Sequence, residues 1–487
     1  MPLVLGGSSA ITPAYDIDNS CRWNGDIDDP YLSRTSPNSA PTLETKGTFS
    51  IWFKRCGTGR NDYIFTSYSG SGPQCDMWIN TDDNFRVSIY DGGTKCALTT
   101  DRKFRDNSSW YHLLFSYDST PSTPSSSSVQ LWINGVKETS FSLETYPSQN
   151  DAMEMFQQNH SQMIGSDYSP PAKIFDGFLS ECMGVDGQAL VNTDFGKFDS
   201  ASPTMWKAID ISDINVGTLG WHVDFKDSAN LGNDVSSVGV DFTETNLAAA
   251  DQATDTPTNN FATLNQAATT SGLGVNLTFS EGNLKIANTG SGAWEPTIGT
   301  IGAKGGKWYC EVKCVTGFAE NYGIMDPKQY DDTMSADNPA TVTLAYGMNY
   351  ATGAATNGPS NWTTSWGESY GTGDIISIAM DLDNMKLYFA KNGTWVASGD
   401  PTSGATGTGT QTFFGGSGDT TNAAGVDTYT FFVAIHNNSV SAANFGGCSG
   451  FDITSANQDA NGYGNFEYAV PSGYYALCTK NLAEFGG

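Results

Sequence analysis

The stretch Gly373-Asp374-Ile375-Ile376-Ser377-Ile378-Ala379-Met380-Asp381-Leu382-Asp383 decides the fold, and Lys386-Leu387-Tyr388-Phe389-Ala390-Lys391-Asn392-Gly393 follows it closely. Ile376, Ile378 and Met380 recur at every second position, which predicts a strand that ends in an aspartate-rich turn. The second run predicts the partner strand, closed by an Asn-Gly turn. Together the two runs predict an antiparallel strand–turn–strand unit.

The same plan occurs earlier in the chain with a longer loop. Trp110-Tyr111-His112-Leu113-Leu114-Phe115-Ser116-Tyr117-Asp118 is followed by Val129-Gln130-Leu131-Trp132-Ile133-Asn134-Gly135. Period-two alternation places one side of each strand on a core and the other toward solvent or a partner. Two copies predict two β-sandwiches of one general architecture in series, an organisation more frequent in binding and scaffolding proteins than in enzymes.

Length and composition favour an all-β protein of two or three domains. The chain has 487 residues, of which 38% are hydrophobic, 12% aromatic and only 16% charged. Such a chain exceeds one ordinary core, and abundant glycine and small polar residues fit short strands joined by turns. The best candidates for short helices are 151–158 and 186–195.

The net charge of −28 bears on partners. Such a field repels phosphate backbones, so nucleic-acid binding is not expected. The simplest interpretation is solubility, since acidic groups keep β-rich surfaces from associating. Loading with divalent cations and life in salty water are the alternatives.

The sequence predicts neither export through an N-terminal signal nor membrane insertion. Residues 1–5 lack the basic region of a secretory signal, and no apolar run approaches the roughly 18 residues that span a bilayer. Synthesis in a cytoplasm is therefore expected.

The nine cysteines predict buried thiols rather than disulfides or a zinc site. Cys310 and Cys314 lie four apart in a predicted strand and hence about 13 Å apart, whereas a disulfide needs Cα atoms about 4.4–6.8 Å apart. No Cys-x2-Cys spacing occurs. The thiols are expected to act as small hydrophobic groups.

Composition divides the chain into four parts. We expect an N-terminal arm over residues 1–14, a β-sandwich over 15–203, a turn-rich connecting segment over 204–270 and a second β-sandwich over 271–487. Four apolar residues of the connecting segment need a core, which predicts that it is ordered in part: Phe242, Leu247, Phe261 and Leu264.

The second sandwich resembles SPRY domains. Gly306-Lys307-Trp308-Tyr309-Cys310-Glu311-Val312 resembles their opening motif and Tyr322-Gly323-Ile324 the next strand. The runs 373–383 and 387–393 resemble the most recognisable stretch of the family. Residues 397–428 depart from the pattern as an insertion, interpreted mostly as a long surface excursion.

The first sandwich resembles laminin-G-like or concanavalin A-like domains. Phe49-Ser50-Ile51-Trp52-Phe53-Lys54 resembles their early strand, and the two runs 110–112 and 129–136 resemble their central hairpin. Ile164-Gly165 and Phe175-Asp176-Gly177-Phe178-Leu179-Ser180-Glu181 resemble the closing strand. Both families imply antiparallel sandwiches of jelly-roll type.

The pair of domains in this order is similar to proteins of tailed, notably marine, bacteriophages. Asp255-Thr256-Pro257-Thr258-Asn259-Asn260-Phe261 lies between the domains, and the openings of these proteins resemble 15–20 and 31–35. The resemblance implies a component of the virion, such as a fibre, a spike or a surface decoration of capsid or tail. It implies other virion proteins as partners and assembly as a homo-oligomer.

No catalytic arrangement stands out, so we expect no enzyme. A retaining glycosidase needs two carboxyl groups about 5–5.5 Å apart. Glu181 with Asp186 is the nearest approach, but a gap of five predicts opposite strand faces. Asp381 and Asp383 sit at a predicted turn, where they more plausibly accept backbone hydrogen bonds. His112, like His436, is interpreted as structural.

Cofactors are not expected, although a calcium site in a loop is an open alternative. The opening carries a group of aspartates: Asp16, Asp18, Asp26, Asp28 and Asp29. Hard cations prefer clustered oxygen ligands, yet position six of an EF-hand loop that starts at Asp16 would be Cys21 rather than glycine. Ordinary turn formation explains the same residues.

Aromatic residues are the remaining candidates for ligand binding. Five of them lie in polar surroundings or on predicted outward strand faces: Trp78, Tyr90, Trp132, Trp362 and Trp366. Exposed rings can stack on sugars or anchor a protein contact, whereas burial in a core is the commoner fate of large aromatics.

Three functions remain in order of preference. The first is a non-enzymatic virion protein that presents binding loops, attached to the particle by its N-terminal arm. The second is a carbohydrate-binding adhesin that recognises host surface glycans. The third is a glycan-degrading enzyme.

Overall fold

The structure is a computed structural model. It describes residues 4–5, 15–25, 27–168, 173–268, 274–290, 294–317, 319–330, 345–351, 353–357, 360–365, 368–409 and 428–486. The chain divides into two compact units, residues 12–258 and residues 259–487 together with 1–11. We call them the first and the second sandwich. Strand β1 (Val4–Leu5) belongs to the second.

The first sandwich consists of two antiparallel sheets. Its strands are β2 (Ser20–Asn24), β3 (Tyr31–Thr35), β4 (Lys46–Arg55), β5 (Asp62–Tyr68), β6 (Gln74–Ile79), β7 (Asn84–Tyr90), β8 (Thr94–Lys103), β9 (Tyr111–Asp118), β10 (Val129–Ile133), β11 (Val136–Lys137), β12 (Phe141–Thr145), β13 (Ser161–Ile164), β14 (Asp176–Asp186), β15 (Gly196–Phe198), β16 (Trp206–Ala208), β17 (Trp221–Val223), β18 (Thr243–Thr245) and β19 (Gln252–Ala253). Sheet 1 has the order β11-β10-β9-β4-β14-β2-β19, with β17 also on β14. Sheet 2 has the order β12-β8-β7-β6-β5-β13-β3-β18.

The core of the first sandwich follows from the alternation in the sequence. Phe49, Ile51 and Phe53 of β4 are fully buried in it, and Val87 and Ile89 of β7 join them. The intervening residues point away from this core because successive side chains of a strand alternate in direction. Each sheet therefore has a second face, which has to be covered or exposed.

The second face of sheet 1 is covered by residues 187–258, which we call the covering segment. Its hairpin β15–β16 carries Trp206 onto sheet 1, where the indole Nε1 donates to Nδ1 of His112 at 3.1 Å. An indole N–H can only donate, so Nε2 of His112 carries the proton and donates to Oγ of Ser50 at 2.9 Å. Burial lowers the pKa of His112 to about 3, so the ring is neutral.

The end of the covering segment is fixed by a buried ion pair. Nζ of Lys54 lies 2.8 Å from Oδ2 of Asp255, and the side chain of Lys54 is 0% exposed. The other oxygen of Asp255 accepts from Nε1 of Trp110 at 3.0 Å. Arg22 of β2 pairs nearby with Asp251 at 2.9 Å. The segment thereby closes the charged part of this face.

The middle of the covering segment completes the core instead. Trp221 and Phe242 lie fully buried in the main core. Arg34 of β3 binds the same part of the segment. Its guanidinium pairs with Asp234 at 3.4 Å and donates to the carbonyl oxygen of Leu219 at 3.0 Å. Burial lowers the pKa of Arg34 to about 10.

The second sandwich also has two main antiparallel sheets. Its further strands are β20 (Leu277–Ser280), β21 (Lys285–Asn288), β22 (Trp294–Ile298), β23 (Ile301–Gly302), β24 (Lys307–Thr316), β25 (Glu320–Met325), β26 (Ala345–Asn349), β27 (Ala354–Asn357), β28 (Ser360–Ser365), β29 (Ile375–Asp381), β30 (Lys386–Lys391), β31 (Thr394–Trp395), β32 (Thr430–His436), β33 (Val440–Asn444) and β34 (Tyr475–Ala476). Sheet 3 has the order β20-β21-β33-β24-β29-β30-β31, and sheet 4 the order β22-β32-β25-β26-β27-β28. Strands β34 and β1 pair in parallel with β24 and β23.

Helices are short. The α-helix α1 (Thr479–Phe485) lies near the end of the described chain, and 3-10 helices occupy Asn192–Asp194, Ala249–Asp251, Pro327–Gln329, Val396–Ser398 and Pro401–Thr406. No helix in the described part of the chain is long and apolar enough to cross a membrane.

The deciding hairpin has the predicted form. Strands β29 and β30 pair from Ile376↔Lys391 to Asp381↔Lys386, and Ile376 and Ile378 are fully buried. Asp381 accepts from the backbone N–H of Asn384 at 2.9 Å and pairs with Lys307 at 2.8 Å. The all-β class with two antiparallel sandwiches is confirmed.

The structure divides the predicted connecting segment between the two sandwiches. The segment 204–270 is divided: residues to Thr258 belong to the first sandwich and those from Asn259 to the second, and within it Phe242, Phe261 and Leu264 are buried. Of the arm 1–14, only β1 is described.

The prediction of a helix over 151–158 is wrong, because Met153, Met155 and Phe156 insert into the core from irregular chain and Glu154 has a positive φ of 59°. All nine cysteines are buried and none forms a disulfide.

We expect Asp255→Ala to destabilise the full chain by about 3–5 kcal/mol, because it removes the carboxylate that faces a buried ammonium group. Lys46→Ala is the control, since Lys46 pairs with Asp118 at the surface and should cost about 1 kcal/mol or less. Denaturant unfolding followed by tryptophan fluorescence measures both. Equal effects of the two variants would contradict the role of the buried pair.

We expect His112 to make stability fall as the pH drops below about 6.5. Its folded-state pKa of about 3 lies below the unfolded value, so between these values the unfolded chain binds a proton that the folded chain does not. Each pH unit then costs about 1.4 kcal/mol. The unfolding free energies of the parent and of His112→Phe, measured from pH 7 to pH 4, test this. Burial raises the pKa of Glu154 to about 7, so Glu154 has the opposite effect on stability. The difference between the pH slopes of the two proteins isolates the contribution of His112. Identical slopes would refute the assignment.

Candidate functional site

The outward side of sheet 2, on strands β5, β6 and β7, carries the candidate site, and we call it the outer face. On β6, Cys75, Met77 and Ile79 enter the core, so Asp76 and Trp78 point outward. The same alternation on β7 directs its even-numbered residues outward. The outer face thus consists of side chains that the core does not use.

The register of the strands arranges these side chains in three rows across the sheet. Each row joins one residue of β5, one of β6 and one of β7. The rows are Tyr63–Trp78–Arg86, Thr66–Asp76–Ser88 and Tyr68–Gln74–Tyr90. Aromatic rings therefore border a polar middle row.

The first row is a series of rings and cations. The rings of Tyr63 and Trp78 stack with centroids 5.3 Å apart and planes at 9°. The guanidinium carbon of Arg86 lies 5.1 Å from the centroid of Trp78, and Nζ of Lys173 lies 5.1 Å from that of Tyr63. Cations over aromatic faces are favourable, and Trp78 is flanked on both sides by its neighbours.

The middle row contains a buried carboxylate with spare hydrogen-bonding capacity. Asp76 is 5% exposed, and its Oδ2 accepts from Nε2 of Gln74 at 2.9 Å. Its Oδ1 and the hydroxyl of Thr66, the residue opposite, make no hydrogen bond of ordinary geometry with the described residues, but the Thr66 hydroxyl still acts on the carboxylate as a hydrogen-bonding neighbour. Burial raises the pKa of Asp76 to about 6, against the hydrogen bond from Thr66 and the charge of Lys173. At neutral pH most of the carboxylate is therefore ionised and acts as a hydrogen-bond acceptor.

The third row offers accessible rings. Tyr90 is 39% exposed, and no other described ring stacks on it. Tyr68 stacks on Tyr168 with centroids 3.8 Å apart and planes at 27°. These residues add apolar area on the far side of Asp76, so a ligand on the outer face meets rings on two sides and hydrogen-bonding groups between them.

Such an arrangement suits a ligand with both apolar faces and hydroxyl groups. Binding sites combine apolar and aromatic lining with few well-placed polar groups. Tyrosine and tryptophan supply apolar area together with a polar group. The outer face therefore has the chemistry to hold a saccharide.

Two of the five predicted aromatic residues lie on the outer face, and one does not. Trp78 and Tyr90 occupy its first and third rows. Trp132 is 6% exposed and is buried with Phe195 and Val216 under the covering segment, so its ring is closed to a ligand. Trp362 lies in β28, whose side chains are not described, and Trp366 lies outside the described residues.

Sequence reasoning missed Asp76 and Arg86 as site residues, and the signal that could have found them was available. Arg86, Ser88 and Tyr90 alternate with Val87 and Ile89 in the sequence. That alternation places an arginine, a serine and a tyrosine on one side of a strand. The pairing of β7 with β6 was needed to bring them beside Asp76.

The other sequence candidates have structural partners. Oε2 of Glu181 lies 2.7 Å from Nε2 of His222, where the bulge of β14 meets β17. Asp186 accepts from the backbone N–H groups of Thr42 and Leu219. Within the described ranges, His, Cys, Asp and Glu side chains form no group of three or more placed to hold a metal ion; Asp26 of the acidic opening lies outside them.

Comparison with known proteins assigns a family resemblance to the first sandwich. Residues 28–186 match the family described as the concanavalin A-like lectin/glucanases superfamily, Laminin_G_3. The match agrees with the concanavalin A-like and laminin-G-like resemblance. It ends at Asp186, the last residue of β14, so the covering segment lies beyond it. No curated protein matches the chain.

Solved structures similar to this chain include a SPRY domain, a pentraxin and a carbohydrate-binding protein. The SPRY domain of human HERC1 has 15% identity, with 34% of this chain and 91% of that chain covered and a TM-score of 0.24. A heptameric SAP-like pentraxin from Limulus polyphemus has 15% identity, coverages of 37% and 81%, and a TM-score of 0.27. A candidate carbohydrate-binding protein from Bacteroides ovatus has 14% identity, coverages of 47% and 58%, and a TM-score of 0.31. At these TM-scores the likenesses say nothing of what this chain binds.

Proposed function

We propose that the protein is a non-enzymatic binding protein whose first sandwich recognises saccharides through the outer face. The observation that carries the proposal is Asp76, a buried carboxylate with one oxygen that makes no hydrogen bond of ordinary geometry with the described residues, set between two aromatic rows. A buried polar atom without a partner is unfavourable. A ligand hydroxyl would satisfy it once the neighbouring side chains move aside, because this oxygen has almost no exposed surface.

The order of the rows favours a sugar over a flat apolar partner. A pyranose ring presents C–H groups on its faces and hydroxyl groups around its edge. Tyr90 can contact the C–H groups, while Asp76 and Ser88 can contact the hydroxyls. A protein contact would be expected to bury a larger apolar centre, whereas the middle row of the outer face is polar.

Binding without catalysis is the simpler interpretation of the same geometry. Glycoside hydrolysis uses two carboxyl groups that flank the scissile bond. Asp76 has Thr66 and Ser88 as its cross-strand neighbours, and the carboxylate that acts on it from outside its row, Asp167, is paired with Lys173 at 3.5 Å. The matching family includes both lectins and glucanases. The residues in the middle row of the outer face favour binding, as in a lectin, over hydrolysis.

We expect Tyr90→Ala and Asp76→Asn to weaken saccharide binding by about 5- to 10-fold and about 10- to 100-fold, because they remove a ring contact and a charged hydrogen-bond acceptor. Phe198→Ala is a matched control: Phe198 is also 39% exposed but lies on β15, away from sheet 2. A glycan array probed with the full chain, followed by titration calorimetry on its hits, measures the change. Saccharide binding that both site variants retain in full would refute the site.

We further propose that the chain is a structural component of a phage virion and turns the outer face to the host surface. The proposal is supported by the similarity of the domain order and of residues 255–261 to tailed-phage proteins. Extensive burial in two sandwiches also suits an exposed particle protein, since unfolding must open a large core.

The virion role predicts that the chain is recovered with purified particles. Deletion of residues 1–14 removes β1, the two-residue strand paired with β23; it should leave the main sheets of both sandwiches folded and prevent incorporation, because the arm is the proposed attachment. Mass spectrometry of purified particles and circular dichroism of the truncated chain test the two parts. Normal incorporation of the truncated chain would exclude the arm as the attachment to the particle. Absence of the intact chain from purified particles would exclude the role as a virion component.

A further inference from the structure

Arg86 differs from every other arginine of this acidic chain. The sequence contains seven arginines, all in the first sandwich, and 52 acidic residues. Six arginines lie within 4.0 Å of a carboxylate oxygen: Arg22, Arg34, Arg55, Arg60, Arg102 and Arg105. Among the described residues, no carboxylate stands at that distance from Arg86. Arg86 is thus the one arginine without a carboxylate partner among the described residues.

The surroundings of Arg86 leave it ready for an anion. Its guanidinium lies over the ring of Trp78, which fixes it without using its in-plane N–H groups. Its Nε has no hydrogen-bond partner among the described residues and almost no exposed surface, so an anion would meet the terminal nitrogens of this half-buried side chain. A buried donor of a charged group is costly when unsatisfied, and planar carboxylates satisfy guanidinium donors two at a time.

Arg86 is also part of the candidate site rather than of a separate surface. It shares the outward side of β7 with Ser88 and Tyr90, and residues two apart on a strand are about 6.7 Å apart. Ser88 stands opposite Asp76. From Arg86 to Tyr90 the strand covers about 13 Å, a length that suits an oligosaccharide better than a single ring.

We propose that the outer face selects acidic sugars, in which a carboxylate of a hexuronate unit binds Arg86. Hydroxyl groups of that unit then reach Asp76 and Ser88, and the neighbouring sugar unit contacts Tyr90. The inference rests on the proposed saccharide-binding function and names its ligand class. No bond is made or broken, so the protein acts as a receptor for the charged sugar.

The position of Asp76 defines how selective the site is. Asp76 lies one row from Arg86 and accepts hydrogen bonds, so it repels a second negative group at its own position. A ligand with one carboxylate per unit and hydroxyls beside it fits both residues. A ligand with charges on adjacent positions places one of them against Asp76 and is disfavoured.

The test compares short uronate oligosaccharides with their methyl esters, which keep the sugar and lose the charge. Trimers of galacturonate, glucuronate and mannuronate are titrated into the full chain at pH 7.5, where Asp76 is ionised. We expect at least one acid to bind about 10- to 100-fold more tightly than its ester, the range for a charged hydrogen bond. Arg86→Gln should bind the acid as weakly as the parent binds the ester.

Two further variants complete the test. Arg86→Lys keeps the charge without the paired donors and should recover only part of the preference. Arg105→Gln removes an arginine that has a carboxylate partner in Asp83 and should retain the full preference. Circular dichroism confirms that each variant is folded.

The outcomes separate the inference from the function on which it rests. If the parent binds neutral saccharides, or acid and ester equally, and Arg86→Gln changes nothing, acid selection is overturned and saccharide binding stands. If a glycan array that includes neutral and acidic sugars gives no binding at all, both are overturned. A preference for acids that Arg86→Gln retains also overturns the assignment to Arg86.

Discussion

The ion pair between Lys54 and Asp255 determines which side of the first sandwich is closed. A lysine that points away from the core of a sheet would ordinarily reach solvent, yet this one is fully buried by its own chain. Because a buried charge is tolerable only when it is paired, the covering segment has to end where Asp255 meets Lys54. That constraint, together with Trp206 on His112, closes the second face of sheet 1 and leaves the outer face of sheet 2 as the proposed ligand site.

In the second sandwich, too, irregular chain covers the outward face of a sheet, but other side chains hold it there. Tyr309 and Tyr388 point outward from sheet 3 and are buried together with Phe466 and Tyr474 from the end of the chain. Glu311 of β24 accepts from the backbone N–H groups of residues 467 and 468 at 2.9 and 2.8 Å, and burial raises its pKa to about 7. In each sandwich a buried acidic group holds an irregular segment over a sheet, so that irregular chain takes the place of a third layer.

The sequence predicted the strands because alternation is local, but it could not predict which strand faces are covered. Trp78 and Trp132 have the same local pattern, an outward tryptophan between two core residues of a strand. Trp132 is buried because residues 195–216 pack over sheet 1. The residues next to Trp132 in the sequence do not predict this packing. Trp78 stays half-buried and beside Arg86. Asp76 was missed for the same reason: its meaning depends on Thr66 and Ser88, which pairing brings from other strands.

The excess of acidic residues gives the outer face a further property. Long-range attraction cannot bring an anion to a chain with a charge of −28, because the summed field opposes its approach. Recognition of an acidic sugar then depends on contacts at Arg86, which act within a few ångströms and are little screened when partly buried. Anions that lack hydroxyls and apolar faces gain too little from such contacts to offset the repulsion. On the proposed function, the acidic surface would reject anions in general and admit those whose shape fits between Trp78 and Tyr90.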